Sequence, residues 1–239
     1  MWDRKELKAR GKSAFKANYW KSVLVALILL VLVGGTAGSI SGSAGSAAGT
    51  DSSTQQAITE VEAAVDGMTD TQKGIMVTAL LGAFSVALAV GILFDILLIN
   101  PVVVGCYNFF MTNSDQPAEL DAMGRGFKPG YGNNVKTMLI KDLFLCLWGL
   151  LFIIPAIVKS YSYRMVPYIL ADHPEMGGTQ VITLSRQMMQ GHKWKAFVLD
   201  LSFLGWDLLT ALTFGLVGVF YAGPYKCATD AELYLALRK

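Results

Sequence analysis

The sequence predicts an all-α membrane protein, a polytopic helical bundle of about six transmembrane helices with additional interfacial amphipathic helices. Hydrophobic residues make up 53% of the 239 residues and charged residues only 16%, and the mean hydropathy is +0.45. Such values are unusual for a water-soluble domain. The chain is also long enough for six spans of roughly 20 residues each. We therefore treat residues 1–239 as one integral-membrane domain.

The first 21 residues are predicted to form a basic interfacial helix. They contain seven of the 20 Lys and Arg residues. At helical spacing the apolar side consists of Leu7, Gly11, Ala14 and Phe15, and the lysines beside it are Lys5, Lys8, Lys12 and Lys16. We expect this helix to lie on an anionic cytoplasmic leaflet, with its lysines on lipid headgroups. The alternative is a solvated helix that only follows the positive-inside bias.

A first span is predicted at residues 22–40, next to the interfacial aromatic residues Tyr19 and Trp20. A cleaved signal peptide is the alternative, because the strongly apolar run is short, although the basic region before it is long for one. Residues 34–74 are predicted to be an external loop, Gly/Ser-rich at first and helical at residues 57–68. This loop has five acidic residues against Lys73 alone, which favours the outer side.

A second span is predicted at residues 75–99, and it continues through Asn100-Pro101 to Met111 as a kinked helix that enters the cytoplasm. A polar inner loop follows at residues 115–134. Residues 138–170 are then mostly apolar, too long for one span and long enough for a tight hairpin with Pro155 at its outer turn. A single long kinked helix is the alternative.

The last third of the chain repeats this plan, with an apolar ascent from Phe197, a break at residues 213–215 and a descent towards Leu237. Counting the crossings gives six spans, with both termini in the cytoplasm. Between the two hairpins, residues 178–193 are predicted to form a cytoplasmic amphipathic segment, whose helix is ended by Gly191. Its apolar side is Val181, Ile182, Ser185, Met188 and Met189. Three basic residues near it are further candidates for contact with anionic lipid, namely Arg186, Lys193 and Lys195.

Ionisable side chains inside the predicted spans are the main candidate functional residues, because a charge at the bilayer centre costs about 2.5 to 3.5 kcal/mol on insertion scales. This candidate charge network is Asp95, Lys159, Arg164, Asp200 and Asp207. The rise per residue gives the depth of each side chain along antiparallel helices. Equal depths predict pairs of Arg164 with Asp200 or Asp95, and of Lys159 with Asp207. The charges either fix the register of the helices or line a polar cavity for an ion, a lipid headgroup or a peptide.

Several short motifs occur along the chain, including Ile153-Ile154-Pro155, the run from Tyr168 to Pro174, Leu184-Ser185-Arg186, Gly191-His192-Lys193-Trp194 and Gly205-Trp206. Together they resemble the bacterial integral-membrane family catalogued as domain of unknown function 975. Ala156 departs from the glycine expected after the turn proline in that family. The resemblance implies a multi-span bacterial membrane protein whose activity is not established, and it supplies no catalytic residues.

The sequence contains no recognisable catalytic or cofactor-binding motif. Its two histidines, His173 and His192, are too few for a three-histidine zinc site, and neither a phosphate-binding loop nor a nucleophile elbow occurs. We therefore expect no enzymatic activity, no cofactor, no metal and no nucleic-acid partner. The expected partners are the lipid bilayer, its anionic headgroups and an unidentified protein.

Three classes of function remain for a chain of this kind. The leading hypothesis is a non-enzymatic scaffold, regulator or envelope-protective protein of the cell membrane, favoured by the basic interfacial helices. The alternative is a small-solute or proton-coupled transporter that uses the buried acids. An intramembrane enzyme ranks last, because no catalytic motif supports it.

Overall fold

A computed structural model describes residues 2–45, 67–128 and 130–238, with the backbone alone for residues 33–45. All regular structure in this part of the chain is helical. The α-helices are α1 (Arg4–Ala17), α2 (Tyr19–Gly45), α3 (Asp70–Phe94), α4 (Asn100–Asp115), α5 (Tyr131–Leu151), α6 (Ile153–Ser162), α7 (Val166–Asp172), α8 (Gly178–Met188), α9 (Lys193–Leu201), α10 (Leu204–Leu212) and α11 (Gly223–Leu237). Two π-helical turns (Asp95–Ile99 and Gly218–Ala222) and a 3₁₀ helix (Leu120–Phe127) complete the fold.

The chain forms two compact units, one of residues 34–95 and one of residues 1–33 with 96–239. In the smaller unit α2 remains helical as far as Gly45, so the predicted external loop does not begin at residue 34. No proline interrupts this Gly/Ala/Ser-rich stretch, and its helical hydrogen bonds can therefore continue. The predicted helix at residues 57–68 lies almost entirely outside the described residues.

Helix α3 is capped at its N-terminus by Thr69, whose hydroxyl accepts a hydrogen bond from the backbone of Gln72, while the Gln72 side chain accepts one from the Thr69 backbone. This capping box supplies acceptors for two backbone N–H groups that have none within the helix. None of the residues of α3 is buried. The helical segment Asp70–Asp115 is long and apolar enough to cross a membrane.

The predicted disturbance near Pro101 appears as the π-helical turn Asp95–Ile99 that directly precedes α4. Proline has no N–H to donate to the carbonyl four residues earlier, which here belongs to Leu97. That carbonyl instead accepts a hydrogen bond from the hydroxyl of Tyr131 at 2.8 Å. The start of α5 thus satisfies the backbone group that the proline leaves open.

The buried side of α1 consists of the four residues that the spacing predicts, Leu7, Gly11, Ala14 and Phe15. This side packs against α11, and a Cβ atom added at Gly11 would lie 2.8 Å from the backbone of Thr229. The apolar side of α1 is therefore covered by protein. Helix α1 and residues Tyr19–Leu32 of α2 meet at an angle of 106°, and together they also pass the length and composition test for a membrane span.

The segment from α5 to α7 runs out and back, as the hairpin interpretation requires. Near the start of α5, Asn133 donates hydrogen bonds to the carbonyls of Pro174 (3.1 Å) and Met176 (2.6 Å), beyond the end of α7. The alternative of a single long kinked helix is therefore wrong. The turn lies at Phe152, whose backbone is extended, and Pro155 follows in the first turn of α6, where its missing N–H costs nothing.

A second hairpin joins α9 and α10 to α11. Its turn contains Phe214 and Gly215, with φ angles of 50° and 89°. The two arms contact each other in pairs at increasing distance from this turn, namely Thr210 with Gly218, Trp206 with Tyr221, Phe203 with Tyr225 and Asp200 with Lys226. Both hairpin tips expose large apolar side chains, including Ile154 and Phe214.

One end of the larger unit collects most of its polar connections, and we call it the polar face. Asn113 at the end of α4 donates to the carbonyl of Ala14 at 3.0 Å and accepts from Asn18 at 2.9 Å. Asp172 at the end of α7 accepts hydrogen bonds from Tyr234 and Arg238, both at 2.8 Å. The start of α2 and the ends of α4, α7 and α11 therefore lie on the same side of this unit.

Candidate functional site

The candidate site is centred on Arg164, in the short turn between α6 and α7. Its guanidinium donates two hydrogen bonds to Asp200, at 2.7 and 2.8 Å, and a third to Asp230 at 2.7 Å. The planar fork of arginine suits such bidentate binding of a carboxylate. Only 15% of the Arg164 side chain is exposed, with 23% for Asp200 and 18% for Asp230.

Two further side chains complete what we call the Arg164 network, defined as Arg164, Asp200, Asp230, Tyr161 and Lys226. The Tyr161 hydroxyl donates a hydrogen bond to Asp200 at 2.9 Å. The Lys226 ammonium lies 3.9 Å from the same carboxylate. Two cations therefore face two carboxylates, and with all four ionised the network is neutral.

The network joins elements that are distant in sequence. Tyr161 and Arg164 belong to the returning arm of the first hairpin, whereas Asp200 lies on α9 and Asp230 on α11, the two arms of the second hairpin. Each carboxylate fixes the guanidinium to a different helix. Because a buried charge without its partner is strongly destabilising, the network holds the two hairpins together.

Apolar and aromatic residues surround the network. The Tyr168 ring packs between the rings of Tyr107, 4.5 Å away, and Tyr234, 5.4 Å away. The hydroxyl of Tyr168 is buried and has no hydrogen-bond partner in the part of the chain that the structure describes. Buried hydroxyls normally have a partner, so this group is an open hydrogen-bonding position within the larger unit.

Of the charges singled out in the sequence, the structure brings Arg164 and Asp200 together, and the second carboxylate bound by Arg164 is that of Asp230. Asp95 lies in the π-helical turn Asp95–Ile99 and is half-buried. Lys159 and Asp207 do not meet. The Lys159 ammonium lies 4.7 Å from the centroid of the Trp148 ring, whereas Asp207 is exposed on α10 and has no ion pair among the described residues.

The expected pairing of Lys159 with Asp207 fails for a physical reason. The rise per residue fixes the height of a side chain along a helix but not the direction in which it points around the axis. In addition, the first turn lies at Phe152 rather than at Pro155, which shifts the heights assigned to α6.

Sequence reasoning missed Asp230 and Lys226. Both lie on α11, close enough to the chain end to resemble solvated residues at a helix terminus. A signal was nevertheless present, because they are four residues apart and so share one helix side. The rest of that side, Ala222 and Leu233, is apolar and buried.

The candidate lipid contacts divide into two groups. Lys5, Lys12, Lys16 and Arg186 are exposed, and Lys193 and Lys195 are half-buried. Lys8 is held by protein, since its ammonium donates hydrogen bonds to Ser202 at 3.2 and 3.3 Å and lies 4.4 Å from the centroid of the Phe203 ring. Burial, and then the charge of Arg4, lowers the pKa of Lys8.

The amphipathic helix at residues 178–193 corresponds to α8, and its predicted apolar side packs inward through Val181, Ile182 and Ser185. The Ser185 hydroxyl donates a hydrogen bond to the carbonyl of Ser162 at 2.9 Å. Ser185 is therefore a packing residue. Within the described ranges, no group of three His, Cys, Asp or Glu side chains could hold a metal ion.

The fold and this site define an all-helical protein in which a buried charge network joins two hairpins. Among the described residues, one helix, or two counting the bent pair, is long and apolar enough to cross a membrane. A family model described as "Protein of unknown function (DUF975)" matches residues 1–239. The chain belongs to this family, and the resemblance seen in its motifs is confirmed. Comparison with curated proteins and with solved structures gives no match.

Proposed function

We propose that this chain is a multi-pass protein of a bacterial cell membrane that acts as a non-enzymatic scaffold or regulator, or protects the envelope. The observation that carries the proposal is the compensated Arg164 network. Its guanidinium makes three hydrogen bonds to two carboxylates on different helices. An arginine that two carboxylates bind holds helices in place. A transporter instead needs a charged side chain whose ion pair breaks when the substrate or a proton binds.

The contacts at the polar face support six spans with both termini in the cytoplasm. The segments that the topology assigns to the cytoplasm contact one another, since Lys21 pairs with Glu119 at 2.7 Å and Asp172 pairs with Arg238. The angle of 106° between α1 and α2 suits an interfacial helix that leads into a span.

Labelling of single cysteines tests this topology. The three native cysteines, Cys106, Cys146 and Cys227, are first replaced by alanine, and Lys73→Cys and Arg186→Cys are then made separately. A membrane-impermeant maleimide should label position 73 in intact cells and position 186 only after permeabilisation. Labelling of position 186 in intact cells would exclude the proposed orientation.

A transporter remains the second candidate because of Asp207. This carboxylate is exposed on α10 among exposed leucines such as Leu204 and Leu208. An acid within a lipid-facing surface usually faces a partner or a watery path. Asp207 is therefore the residue that a proton-coupled carrier would use.

Flux measurements separate the two functions. The purified full-length protein is reconstituted in liposomes, and proton and solute flux is compared with that of protein-free liposomes. We expect equal flux, together with altered sensitivity of a deletion strain to membrane-active peptides. Substrate-dependent flux that Asp207→Asn abolishes would replace the scaffold with the carrier.

A further inference from the structure

Asp207 is a carboxylate on an otherwise apolar surface of the second hairpin. It is exposed on α10, and the large side chains exposed along the same helix are leucines, namely Leu204, Leu208, Leu209 and Leu212. In the proposed membrane, lipid chains can cover the leucines but offer no counter-charge to the carboxylate. A charge among lipid-facing residues usually faces a partner or a watery path. Asp207 therefore marks a place where something other than lipid chains contacts this hairpin.

The chain itself does not provide the cation that Asp207 lacks. Among the described residues, no Lys, Arg or His nitrogen lies within 4.0 Å of this carboxylate, since each ion pair found there joins other residues. Of the basic groups, only Lys239 and the amino terminus lie outside the described ranges. Their neighbours Arg238 and Trp2 contact the end of α7 and the start of α9, which lie away from the hairpin turns. The cation therefore belongs to another molecule.

Lys159 on the first hairpin lies at the same height as Asp207 on the second. Lys159 follows the turn residue Phe152 by seven positions, and Asp207 precedes the turn residue Phe214 by seven. The Arg164 network shows that the two hairpins are in register, because its arginine and the carboxylate of α9, which are in contact, lie 12 and 14 positions from the same two turn residues. At about 1.5 Å per residue, Lys159 and Asp207 each lie about 10 Å from their turn.

Lys159 can pair with a carboxylate from outside its own chain. It is the basic residue nearest to a turn in either hairpin. The centroid of the Trp148 ring lies 4.7 Å from its ammonium, but a ring covers only one side of a group that has three N–H donors. Ile157 and Val158 beside it are exposed. The first hairpin thus presents one cation on an apolar surface, and the second hairpin presents one anion on another.

We propose that two copies of this chain associate in the membrane, with Lys159 of each copy paired to Asp207 of the other. A two-fold axis along the membrane normal keeps every residue at its own height, so side chains of equal height in one copy can meet between copies. Such an axis repeats each contact, and the dimer therefore contains two identical ion pairs. The inference rests on the proposed membrane location and extends the scaffold function, because it names a second copy of the chain as a partner.

The test measures association of the full-length protein in liposomes, by energy transfer between copies that carry a donor or an acceptor fluorophore at the C-terminus. Association is followed over a series of protein-to-lipid ratios. The unchanged protein should associate, and Asp207→Asn should weaken association about tenfold or more, because it removes both ion pairs of the dimer at once. Circular dichroism checks that every variant folds.

Charge reversal tests the pairing itself. Asp207→Lys and Lys159→Asp should each fail to self-associate, because like charges then meet across the interface. A mixture of these two variants should associate nearly as well as the unchanged protein, since each copy supplies the charge that the other lacks, and contacts within one chain cannot produce this result. Lys136→Asp is the matched control, because it reverses an exposed charge near the start of α5 on the same hairpin. It should self-associate normally and should pair with Asp207→Lys no better than the unchanged protein does.

Three results would overturn the proposal. Unchanged association in Asp207→Asn, or a mixture of the two reversed variants that stays apart, would exclude the ion pairs. An unchanged protein that stays monomeric at every lipid ratio would exclude a second copy as the partner of Asp207, in favour of a proton or another protein. None of these results concerns topology or flux, so a failure here is distinct from a failure of the proposed scaffold function. Because the pairs join separate copies, they should not affect unfolding of the single chain in dilute detergent.

Discussion

Arg164 and Lys159 are five residues apart in one apolar stretch, and the fold gives them opposite surroundings. Arg164 is held by the carboxylates of Asp200 and Asp230. The Lys159 ammonium lies 4.7 Å from the centroid of the Trp148 ring. One cation is thus neutralised by carboxylates, whereas the other lies over an aromatic ring. The meaning of a charge in an apolar run therefore depends on the helices that pack beside it.

The side chains suit these two roles. The guanidinium offers five donors in a rigid plane, which allows it to bind two carboxylates on separate helices. The lysine ammonium is a compact charge on a flexible stem, and it is stabilised over an aromatic ring without a fixed geometry. We expect substitutions in the Arg164 network to lower the stability of the fold more than a substitution of Lys159.

The largest effect is expected from Asp200→Asn, which removes the carboxylate that Arg164 binds through two hydrogen bonds. It should lower the free energy of unfolding by about 3 kcal/mol, the range found when a buried ion pair loses one partner. Adding Arg164→Gln restores the charge balance of the network, which then retains Lys226 and Asp230, so the combined loss should be smaller than the sum of the two single losses. Denaturation of all four proteins of this double-mutant cycle in detergent measures the coupling.

Asp207→Asn is the control for this prediction, since it removes the same charge from an exposed position on a neighbouring helix. It should change stability little. Strictly additive effects in the Asp200 and Arg164 cycle would show that the pair does not contribute to holding the hairpins together.

The next largest loss of stability is expected from a substitution that shifts α11, because this helix must be correctly placed for Asp230 to reach Arg164. In Gly11→Ala the new methyl group would meet the backbone of Thr229 at 2.8 Å, and we expect a loss of about 1 to 3 kcal/mol from the forced shift. Gly149→Ala is the control, because a Cβ atom there meets nothing within 4 Å. Equal thermal stability of Gly11→Ala and the unchanged protein would show that α1 does not pack closely on α11.

Periodicity predicted the sides of the helices well, because burial against one neighbour selects residues at a period of 3.6. The four buried residues of α1 and the inward side of α8 are those that the spacing indicates. The two hairpins were also predictable, since their apolar stretches exceed one span.

The partners of the buried charges were less predictable, because no local pattern states which helices pack together. Asp230 joins Arg164 across 66 residues of sequence. Lys159 lies over the ring of Trp148 and not beside Asp207. The π-helical turn before Pro101 shows the same limit, since its open carbonyl is satisfied by Tyr131, 34 residues further on.

A smaller effect on stability is expected from removing the carboxylate of Asp172 at the polar face. This charge is paired, but it is more exposed than the Arg164 network. Burial alone raises the pKa of Asp172, but hydrogen bonds from Tyr234 and Arg238 outweigh it and hold the pKa below its ordinary value. The folded state therefore gains stability from this group above the ordinary pKa of about 3.9, and this gain is lost as the pH falls through the lower, folded value.

Thermal unfolding between pH 6 and pH 3 measures this contribution. Asp172→Asn should flatten the acid side of the stability curve by an amount within the roughly 0 to 1 kcal/mol typical of exposed pairs. Asp121→Asn is the control, because its ion pair with Lys128 is more exposed still. An unchanged acid slope in Asp172→Asn would show that the contacts with Tyr234 and Arg238 do not persist in solution.

The smallest effect on stability is expected from Lys159→Gln, and it separates the two cations most clearly. Lys159 has no ion pair among the described residues, and its removal gives up the contact with Trp148. The free energy of unfolding in lipid-free detergent should therefore fall by no more than about 1 kcal/mol, the size of one exposed cation–π contact. A loss of several kcal/mol without lipid would mean that Lys159, like Arg164, is a residue on which the fold itself depends.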